Sequence, residues 1–146
     1  MRTRKNKSIS RITDCLWAPC LITILLIIAM GTAANASGLK TISPQQAYQM
    51  INNEKDNANF FIIDIRTPKE FESGHIENAF LIDFYSKKFL KDMDKLDKSK
   101  IYLIYCRSAN RSTKALSLIK DMGFISLYNM DRGLKGWAQN GYKIVK

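Results

Sequence analysis

The sequence predicts a single α/β domain with a central, mainly parallel sheet that is flanked by helices on both faces. Two apolar runs, at residues 60–65 and 101–105, have the length and the β-branched composition of strands that are buried on both sides. Segments with helical periodicity lie before, between and after these runs. Strands that alternate with helices pair in parallel, because the helical crossover returns the chain to the same end of the sheet.

The first half of the domain is predicted to contain two helices and two strands. A helix over residues 43–53 begins with a serine cap followed by a proline, which fits the first helical position. The first apolar run follows as a strand. Residues 67–74 form a short helix, because Thr67 and Glu70 have the spacing of a capping box. A second, short strand is predicted at residues 79–84.

The second half is predicted to repeat this alternation. A helix over residues 87–96 is indicated by apolar residues that recur on one face of a charged segment, and the second apolar run follows it. Residues 112–122 form a helix with an apolar stripe, which Gly123 ends. A third buried strand is predicted at 125–128 and a final short helix at 134–140. The apolar faces of the two longer helices consist of Phe89, Leu90, Met93, Leu96, Ala115, Leu116, Ile119 and Met122.

The N-terminal residues have the pattern of a leader. A basic segment precedes the apolar stretch LITILLIIAM, and Ala34 and Ala36 then form a small-x-small site. This order predicts a secretory signal peptide at residues 1–36, cleaved from a domain at 37–146 that is exported to the periplasm. The alternative is an uncleaved membrane anchor that faces the periplasm, because residues 15–34 are about long enough to span a bilayer.

The basic charge of the chain does not indicate a nucleic-acid partner. The sequence has 23 Lys and Arg against 13 Asp and Glu, a net charge of +10, and part of this excess lies in the leader. In the segment 87–100, lysine and aspartate are interspersed, which is typical of a solvated helix face. We therefore expect no nucleic acid among the partners, and membrane contact only through the N-terminal segment if it is not cleaved.

Cys106 is the one cysteine of the predicted domain, because Cys15 and Cys20 lie in the leader. It therefore cannot form a disulfide within the domain. The whole chain has three cysteines and one histidine, His75, so a structural zinc site would use up every one of them and is not expected. A lone thiol in an oxidising compartment indicates a functional cysteine.

The loop after the second apolar run carries the predicted chemistry. In parallel sheets the functional site lies at the carboxyl ends of the strands, and Cys106 directly follows such an end. The loop amides, the N-terminus of the next helix and two arginines favour a bound anion and the thiolate form of the cysteine. We therefore predict a nucleophile that reacts with an anion. The remaining residues of the predicted site are Arg107, Ser108, Ala109, Asn110, Arg111 and Ser112.

Several short motifs, in order and spacing, resemble those of the single-domain rhodanese-type sulfurtransferases. The resemblance extends from about residue 42 to residue 144. The matching pieces are Asp64-Ile65-Arg66 (D-x-R) with Glu70-Phe71 after it, Gly74-His75-Ile76-Glu77-Asn78-Ala79 (G-H-I-x-G-A), residues 106–112 (C-R-S-G-N-R-S), and Gly133 with Trp137 (G-G-x-x-x-W). Together they imply a rhodanese-like domain and a sulfurtransferase.

The resemblance also implies a two-step mechanism that needs no cofactor and no metal. The thiolate of Cys106 takes a sulfur atom from thiosulfate or a similar anionic donor and becomes a persulfide, and cyanide or a thiol then accepts that sulfur. The loop amides hold the persulfide, as an oxyanion hole holds oxygen. Arg107 and Arg111 are candidates for binding the donor anion.

Four residues outside the loop are expected to have structural roles. Asp64 and Arg66 are predicted to support the end of the sheet near the loop as an ion pair. His75 is predicted to serve a local hydrogen bond, because it is far in sequence from Cys106. Trp137 is predicted to lie in the core.

Three positions depart from the family pattern by replacing a glycine. Ala109 stands in the middle of the loop, Asn78 in the turn that follows His75, and Arg132 before Gly133. If position 109 requires a positive φ, alanine costs roughly 1 kcal/mol or more there, whereas asparagine tolerates that region better than most residues.

Two other functions stay open. One is a binding module that relays a persulfide to a protein thiol partner, with little turnover of small molecules. The other is phosphatase or arsenate reductase activity, since the related cell-cycle dual-specificity phosphatases share this kind of loop. Those enzymes have a C-x5-R loop, whereas Cys106 and Arg111 give C-x4-R, and the shorter loop favours a terminal sulfur atom over a tetrahedral phosphate.

Overall fold

The computed structural model describes residues 38–146, so the predicted signal peptide or anchor at 1–36 lies outside the described residues. Strands and helices alternate along the described part. Its elements are β1 (Leu39–Ile42), α1 (Pro44–Asn53), β2 (Phe60–Asp64), α2 (Pro68–Glu72), β3 (Ala79–Leu81), α3 (Phe89–Asp94), β4 (Ile101–Tyr105), α4 (Asn110–Ile119), β5 (Ser126–Met130) and α5 (Gly133–Gln139). None of the helices in this part is long and apolar enough to cross a membrane.

The five strands form one sheet in the order β1-β5-β4-β2-β3, and every neighbouring pair is parallel. This confirms the predicted α/β class. The central strand is β4, which lies between β5 and β2. Asp64 at the end of β2 is opposite Tyr105 at the end of β4, so both strands stop at the same edge of the sheet. The residue that follows β4 is Cys106, which this register places beside the end of β2.

Helices cover both faces of the sheet, as predicted. Side chains of successive strand residues point to opposite faces, so each strand contributes to a core on either side. On one face, Phe89 and Met93 of α3 pack in the same core as Ala115 and Ile119 of α4. On the other face, α1 and α5 contribute to a second core. Trp137 of α5 is buried in that core, which confirms its predicted role. Each large apolar side chain buried in these cores contributes about 1.5–3 kcal/mol relative to its exposed state.

The strand β1 was not predicted from the sequence. Its sequence, LKTI, has two polar residues in the middle, and so it contains no apolar run. Both polar residues are exposed. The strand forms because its backbone pairs in parallel with β5, where Ile42 is opposite Met130. Since β5 lies almost at the other end of the chain, this pairing leaves no local signal in the sequence.

The element boundaries also differ from the predicted ones. The strand predicted at 79–84 ends at Leu81, and the helix predicted at 112–122 begins at Asn110. Leu90 was expected on the buried face of α3 but is 45% exposed; the buried face of this helix consists of Phe89 and Met93. Ile125 was placed in a buried strand, but it precedes β5 and is 64% exposed.

The predicted capping box at the start of α2 is present. The Glu70 amide donates to Thr67 Oγ1 (3.4 Å), and the Thr67 amide donates to Glu70 Oε2 (3.1 Å). These bonds satisfy N–H groups that the first turn of a helix leaves without an intrahelical partner. They also hold the carboxylate of Glu70 in a defined position beside the loop after β4.

Candidate active site

Cys106 lies at the carboxyl end of the central strand and is buried, with 1% of its surface exposed. The neighbouring strand holds this end in place, because the Ile65 amide donates to the Tyr105 carbonyl oxygen (3.0 Å). From Cys106 the chain passes through a short loop into α4. The cysteine therefore lies between a rigid strand end and a helix N-terminus, as the sequence predicted.

The backbone of this loop leaves its amide groups free. Among the described residues, the N–H groups of residues 107–111 have no hydrogen-bond acceptor. The first amides of a helix carry partial positive charge and have no intrahelical partner. The loop thus offers unpaired donors next to Cys106, which is the arrangement that a bound anion needs.

Ser112 is the polar side chain in hydrogen-bond range of the cysteine sulfur. Its Oγ lies 3.7 Å from Cys106 Sγ and 3.1 Å from the Ala109 carbonyl oxygen, and the residue is fully buried. A hydroxyl has one proton, so Ser112 donates to one of these acceptors at a time. A negative charge on the sulfur strengthens the bond to sulfur, since hydrogen bonds to ionised acceptors are the stronger ones.

The other residues of the loop differ in exposure. Arg107, Ser108 and Asn110 are exposed, whereas Ala109 is buried. Arg107 forms no ion pair within the described part of the chain, so its charge is available at the mouth of the loop. The predicted role of Arg107 in binding a donor anion remains a prediction that this geometry permits.

Arg111 is held by an acidic residue that sequence reasoning had not paired with it. Its two terminal nitrogens donate to the two carboxylate oxygens of Glu70, both at 2.7 Å. The hydrogen bonds from Arg111 lower the pKa of Glu70 to about 2, and the same bonds raise the pKa of Arg111. The ring of Tyr85 lies 5.6 Å from the guanidinium carbon of Arg111. Glu70 therefore holds the guanidinium at the first turn of α4 through two of its five N–H donors, and the donor-binding role of Arg111 stays a prediction.

Asp64 and Arg66 form the predicted ion pair. Arg66 Nη2 lies 2.7 Å from Asp64 Oδ2, and both side chains are almost fully buried. Arg66 Nη2 also donates to the Gly74 carbonyl oxygen (2.7 Å), so the pair joins the end of β2 to the turn after α2. Burial, followed by the nearby Asp64 carboxylate, raises the pKa of Tyr105, whose hydroxyl accepts a bond from the Ile76 amide (3.1 Å).

His75 has the structural position that the sequence predicted. Its Nδ1 lies 3.1 Å from the Phe71 carbonyl oxygen, and its ring stacks on Phe71 with centroids 3.8 Å apart. Its backbone pairs with Val145 in an isolated antiparallel bridge. These contacts attach the C-terminal residues to the turn after α2. In the part of the chain that the structure describes, no three His, Cys, Asp or Glu residues are grouped as metal ligands.

The family follows from a comparison with known proteins. The family model of the Rhodanese-like domain matches residues 43–140, which is well over half of the chain. The chain belongs to the rhodanese-like sulfurtransferase family. The match includes the loop from Cys106 to Ser112 and both ion pairs beside it.

Relatives of this rhodanese-like protein include several that are named as sulfurtransferases. "Thiosulfate sulfurtransferase GlpE" of Pseudomonas putida is 33% identical over 102 residues, which cover 69% of this chain and 86% of that protein. "Sulfurtransferase" of Allochromatium vinosum is 31% identical over 90 residues, or 62% of this chain and 82% of that protein. "Probable adenylyltransferase/sulfurtransferase MoeZ" of Mycobacterium tuberculosis is 29% identical over 112 residues, but the chain spans only 28% of its length.

Solved structures show the same fold. A rhodanese-related protein from Thermoplasma volcanium has a TM-score of 0.62 at 24% identity, covering 73% of this chain and 97% of that one. A rhodanese-like domain protein from Staphylococcus aureus has a TM-score of 0.57 at 26% identity, covering 73% and 99%. The predicted rhodanese-like architecture is thereby confirmed.

In this rhodanese-like domain, the last helix is clamped onto the loop. The Leu134 amide donates to the Cys106 carbonyl oxygen (2.8 Å), and the Lys135 amide donates to the Arg107 carbonyl oxygen (2.9 Å). Gly133 makes this approach possible, because a Cβ at that position would lie only 2.2 Å from the Cys106 carbonyl oxygen. The sequence marked Gly133 only as part of a motif, since the contact joins segments that are distant along the chain.

All three positions where this rhodanese-like chain replaces a family glycine adopt the left-handed conformation. Asn78 has φ 64°, Ala109 has φ 70° and Arg132 has φ 57°. They are the only non-glycine residues with positive φ in the described part. Position 109 therefore has the positive φ at which alanine is expected to be strained. The fold keeps the left-handed backbone at these positions at a conformational cost of about 1–2 kcal/mol each for Ala109 and Arg132, and less for Asn78.

Proposed function

We propose that this rhodanese-like domain transfers sulfane sulfur from thiosulfate, or a similar anionic donor, to cyanide or a thiol through a persulfide on Cys106. The observation that carries the proposal is the buried Cys106 beside a loop whose amides at 107–111 are unpaired within the described residues. A persulfide is an anion, and those amides supply hydrogen bonds to it in a site that water scarcely reaches. The GlpE relatives, named thiosulfate sulfurtransferases, support thiosulfate as the donor.

The donor step starts from the thiolate of Cys106. The thiolate attacks the outer sulfur of thiosulfate, the sulfur–sulfur bond of the donor breaks, and sulfite leaves with the electron pair. The product is the Cys106 persulfide, and no net charge is gained or lost. The hydroxyl of Ser112 donates a hydrogen bond to the charged sulfur, while exposed Arg107 attracts the thiosulfate dianion to the loop.

The acceptor step regenerates the thiolate. A thiolate or cyanide attacks the outer sulfur of the persulfide, the bond between the two sulfurs breaks, and its electron pair returns to Cys106. The acceptor leaves as a persulfide or as thiocyanate. Neither step requires an external oxidant or reductant, because the sulfane sulfur is passed on in the same oxidation state.

Intact mass after thiosulfate treatment tests the donor step on the full chain. We expect a gain of about 32 Da, one sulfur, on the wild type and none on Cys106→Ala. A thiosulfate:cyanide assay on the same samples then measures turnover. No mass gain, or equal thiocyanate from both proteins, contradicts the proposal. A mass gain without turnover on cyanide or small thiols favours the persulfide-relay alternative.

Phosphate release from an aryl phosphate tests the remaining enzymatic alternative. We expect none, because the loop between Cys106 and Arg111 has four residues and the guanidinium of Arg111 is occupied by Glu70. Cys106-dependent phosphate release contradicts the assignment as a sulfurtransferase. Formation of arsenite from arsenate in the presence of a thiol, which supplies the electrons, tests the reductase alternative.

We further propose that the protein is exported to the periplasm by the leader at residues 1–36. The support is the order of basic segment, apolar stretch and small-x-small site in the sequence. N-terminal sequencing of material from the periplasmic fraction is expected to start at Ser37. An intact N-terminus in the membrane fraction supports the anchor instead, and a purely cytoplasmic chain contradicts export.

A further inference from the structure

A cleft of about 440 Å³ opens beside the loop of Cys106. Arg107 contributes to its wall, and so do Leu134 and Lys135, whose amides bond the carbonyls of Cys106 and Arg107. A volume of this order accommodates a small organic molecule. The cleft is therefore both large enough and close enough to hold a reactant of the sulfur-transfer reaction that is larger than thiosulfate.

The charges of the cleft do not balance. Four charged side chains line it, and two of them are neutralised: Arg66 by Asp64 and Glu70 by Arg111. The other two, Arg107 and Lys135, are exposed and form no ion pair within the described part of the chain. Both are cationic, so the free charge of the cleft is entirely positive.

A second, smaller cleft shares Lys135 with the first. It has a volume of about 300 Å³ and is lined by Ser108, Arg132 and Lys135, among others. Lys135 thus lines two openings that each include a residue of the loop, and each opening contains a second cation. The remaining residues in the wall of the larger cleft are Ser73 and an apolar group of Leu134, Ala138 and Ile144.

We propose that Lys135, together with Arg107, makes the acceptor step selective for thiols that carry a carboxylate on a short aliphatic chain. The carboxylate binds the two free cations, the methylene groups pack on the apolar wall, and the thiolate faces the persulfide. It then attacks the outer sulfur, and the electron pair of the broken sulfur–sulfur bond returns to Cys106. This assignment rests on the proposed persulfide function and adds the chemical class of its acceptor.

Single-turnover discharge isolates the acceptor step from the donor. The full chain is loaded with thiosulfate, freed of donor by gel filtration, and mixed with 3-mercaptopropionate, 2-mercaptoethanol or cysteamine; loss of the added sulfur is followed by intact mass. Each rate is expressed per thiolate present, so that differences in thiol acidity do not enter. For the wild type, we expect the anionic thiol to react fastest and the cationic thiol slowest, with the differences reduced in 1 M salt.

Substitutions of Lys135 test the residue itself. The preference for 3-mercaptopropionate over 2-mercaptoethanol is expected to fall about threefold in Lys135→Gln and about tenfold in Lys135→Glu, the range expected for one or two exposed charges. The matched control is Lys120→Gln. It removes the same charge from an exposed residue at the opposite end of α4, about 15 Å from the loop.

The outcomes separate the two levels of the proposal. A chain that gains no sulfur from thiosulfate overturns the persulfide function and, with it, the acceptor assignment. A chain that loads normally but shows the same preference in wild type and Lys135→Glu overturns the acceptor assignment alone. An equal fall in Lys120→Gln also overturns it, because the effect is then one of net charge and not of the cleft.

Discussion

Two arginine–carboxylate pairs accompany the loop of Cys106, and they differ mainly in burial. In the pair of Asp64 and Arg66, the side chains are 0% and 5% exposed, whereas in the pair of Glu70 and Arg111 they are 30% and 14% exposed. Both have a closest contact of 2.7 Å. The same chemistry therefore occurs once inside the protein and once near solvent.

The two pairs also connect different elements of the domain. The buried pair joins β2 to the turn after α2, where Arg66 also bonds the Gly74 carbonyl, so it belongs to the framework on which the loop rests. The half-exposed pair joins α2 to the first turn of α4 and so controls the loop itself. Losing a partner inside the protein leaves an uncompensated charge, whereas near the surface water compensates part of the loss.

The largest expected effect is that of breaking the buried pair. Asp64→Ala leaves the guanidinium of Arg66 buried with only the Gly74 carbonyl as an acceptor, and we expect a loss of about 3–5 kcal/mol in the free energy of unfolding. Urea denaturation measures it. The control is Asp94→Ala, since that side chain is 75% exposed and its lysine partner is 3.9 Å away. Equal losses in the two variants contradict the distinction drawn from burial.

Breaking the half-exposed pair is expected to cost less. Glu70→Gln keeps the size of the side chain but removes the charge that both nitrogens of Arg111 contact, so we expect a loss of about 1–2 kcal/mol. The loading of Cys106 with thiosulfate is expected to slow as well, because the loop loses its support. Glu77→Gln, whose 60% exposed side chain meets Lys143 at 3.3 Å, is the control for an ordinary surface pair. If Glu70→Gln is as unstable as Asp64→Ala, the inference that the more exposed pair contributes less to stability is wrong.

The pH dependence of stability sharpens the same comparison. Because Arg111 lowers the pKa of Glu70 from 4.5 to about 2, the stabilisation by Glu70 is fully present above pH 4.5 and is lost as the pH falls towards 2. Between pH 5 and pH 3, we expect the difference in unfolding free energy between wild type and Glu70→Gln to shrink by about 1 kcal/mol, allowing for partial exposure. A difference that stays constant over this range shows that the ionised carboxylate of Glu70 is not what stabilises the pair.

The smallest expected effect concerns the backbone of the loop at Ala109. Ala109→Gly relieves the left-handed strain at φ 70° but increases the freedom of the unfolded chain, so we expect a net gain of about 0.5 kcal/mol. Ala138→Gly is the matched control, because in the interior of helix α5 the same change is expected to destabilise by about 0.5–1 kcal/mol. If Ala109→Gly gains the same amount with and without Glu70→Gln, the strain and the ion pair act independently. A loss of stability in Ala109→Gly shows that the loop is not strained there.

Much of the fold was readable from the sequence because its signals are local. The two apolar runs became β2 and β4, the capping box of Thr67 and Glu70 began α2, and the alternation of elements implied a parallel sheet covered on both faces. The order of the strands and the edge strand β1 were not readable. Backbone hydrogen bonds between residues far apart in the chain determine both, and such bonds require no particular side chains.

The features of the candidate active site also fall into those readable from the sequence and those set by tertiary packing. The sequence by itself determined the position of Cys106 after a buried strand, the loop from Cys106 to Ser112 and the ion pair of Asp64 and Arg66, because these depend on residue types at short spacings. Only the tertiary structure decided that Glu70 occupies Arg111, that α5 closes on the loop, and that Lys135 and Arg107 share a cleft. Charges act through space over a few ångströms, so their partners depend on how α2, α4 and α5 are packed and not on their order along the chain.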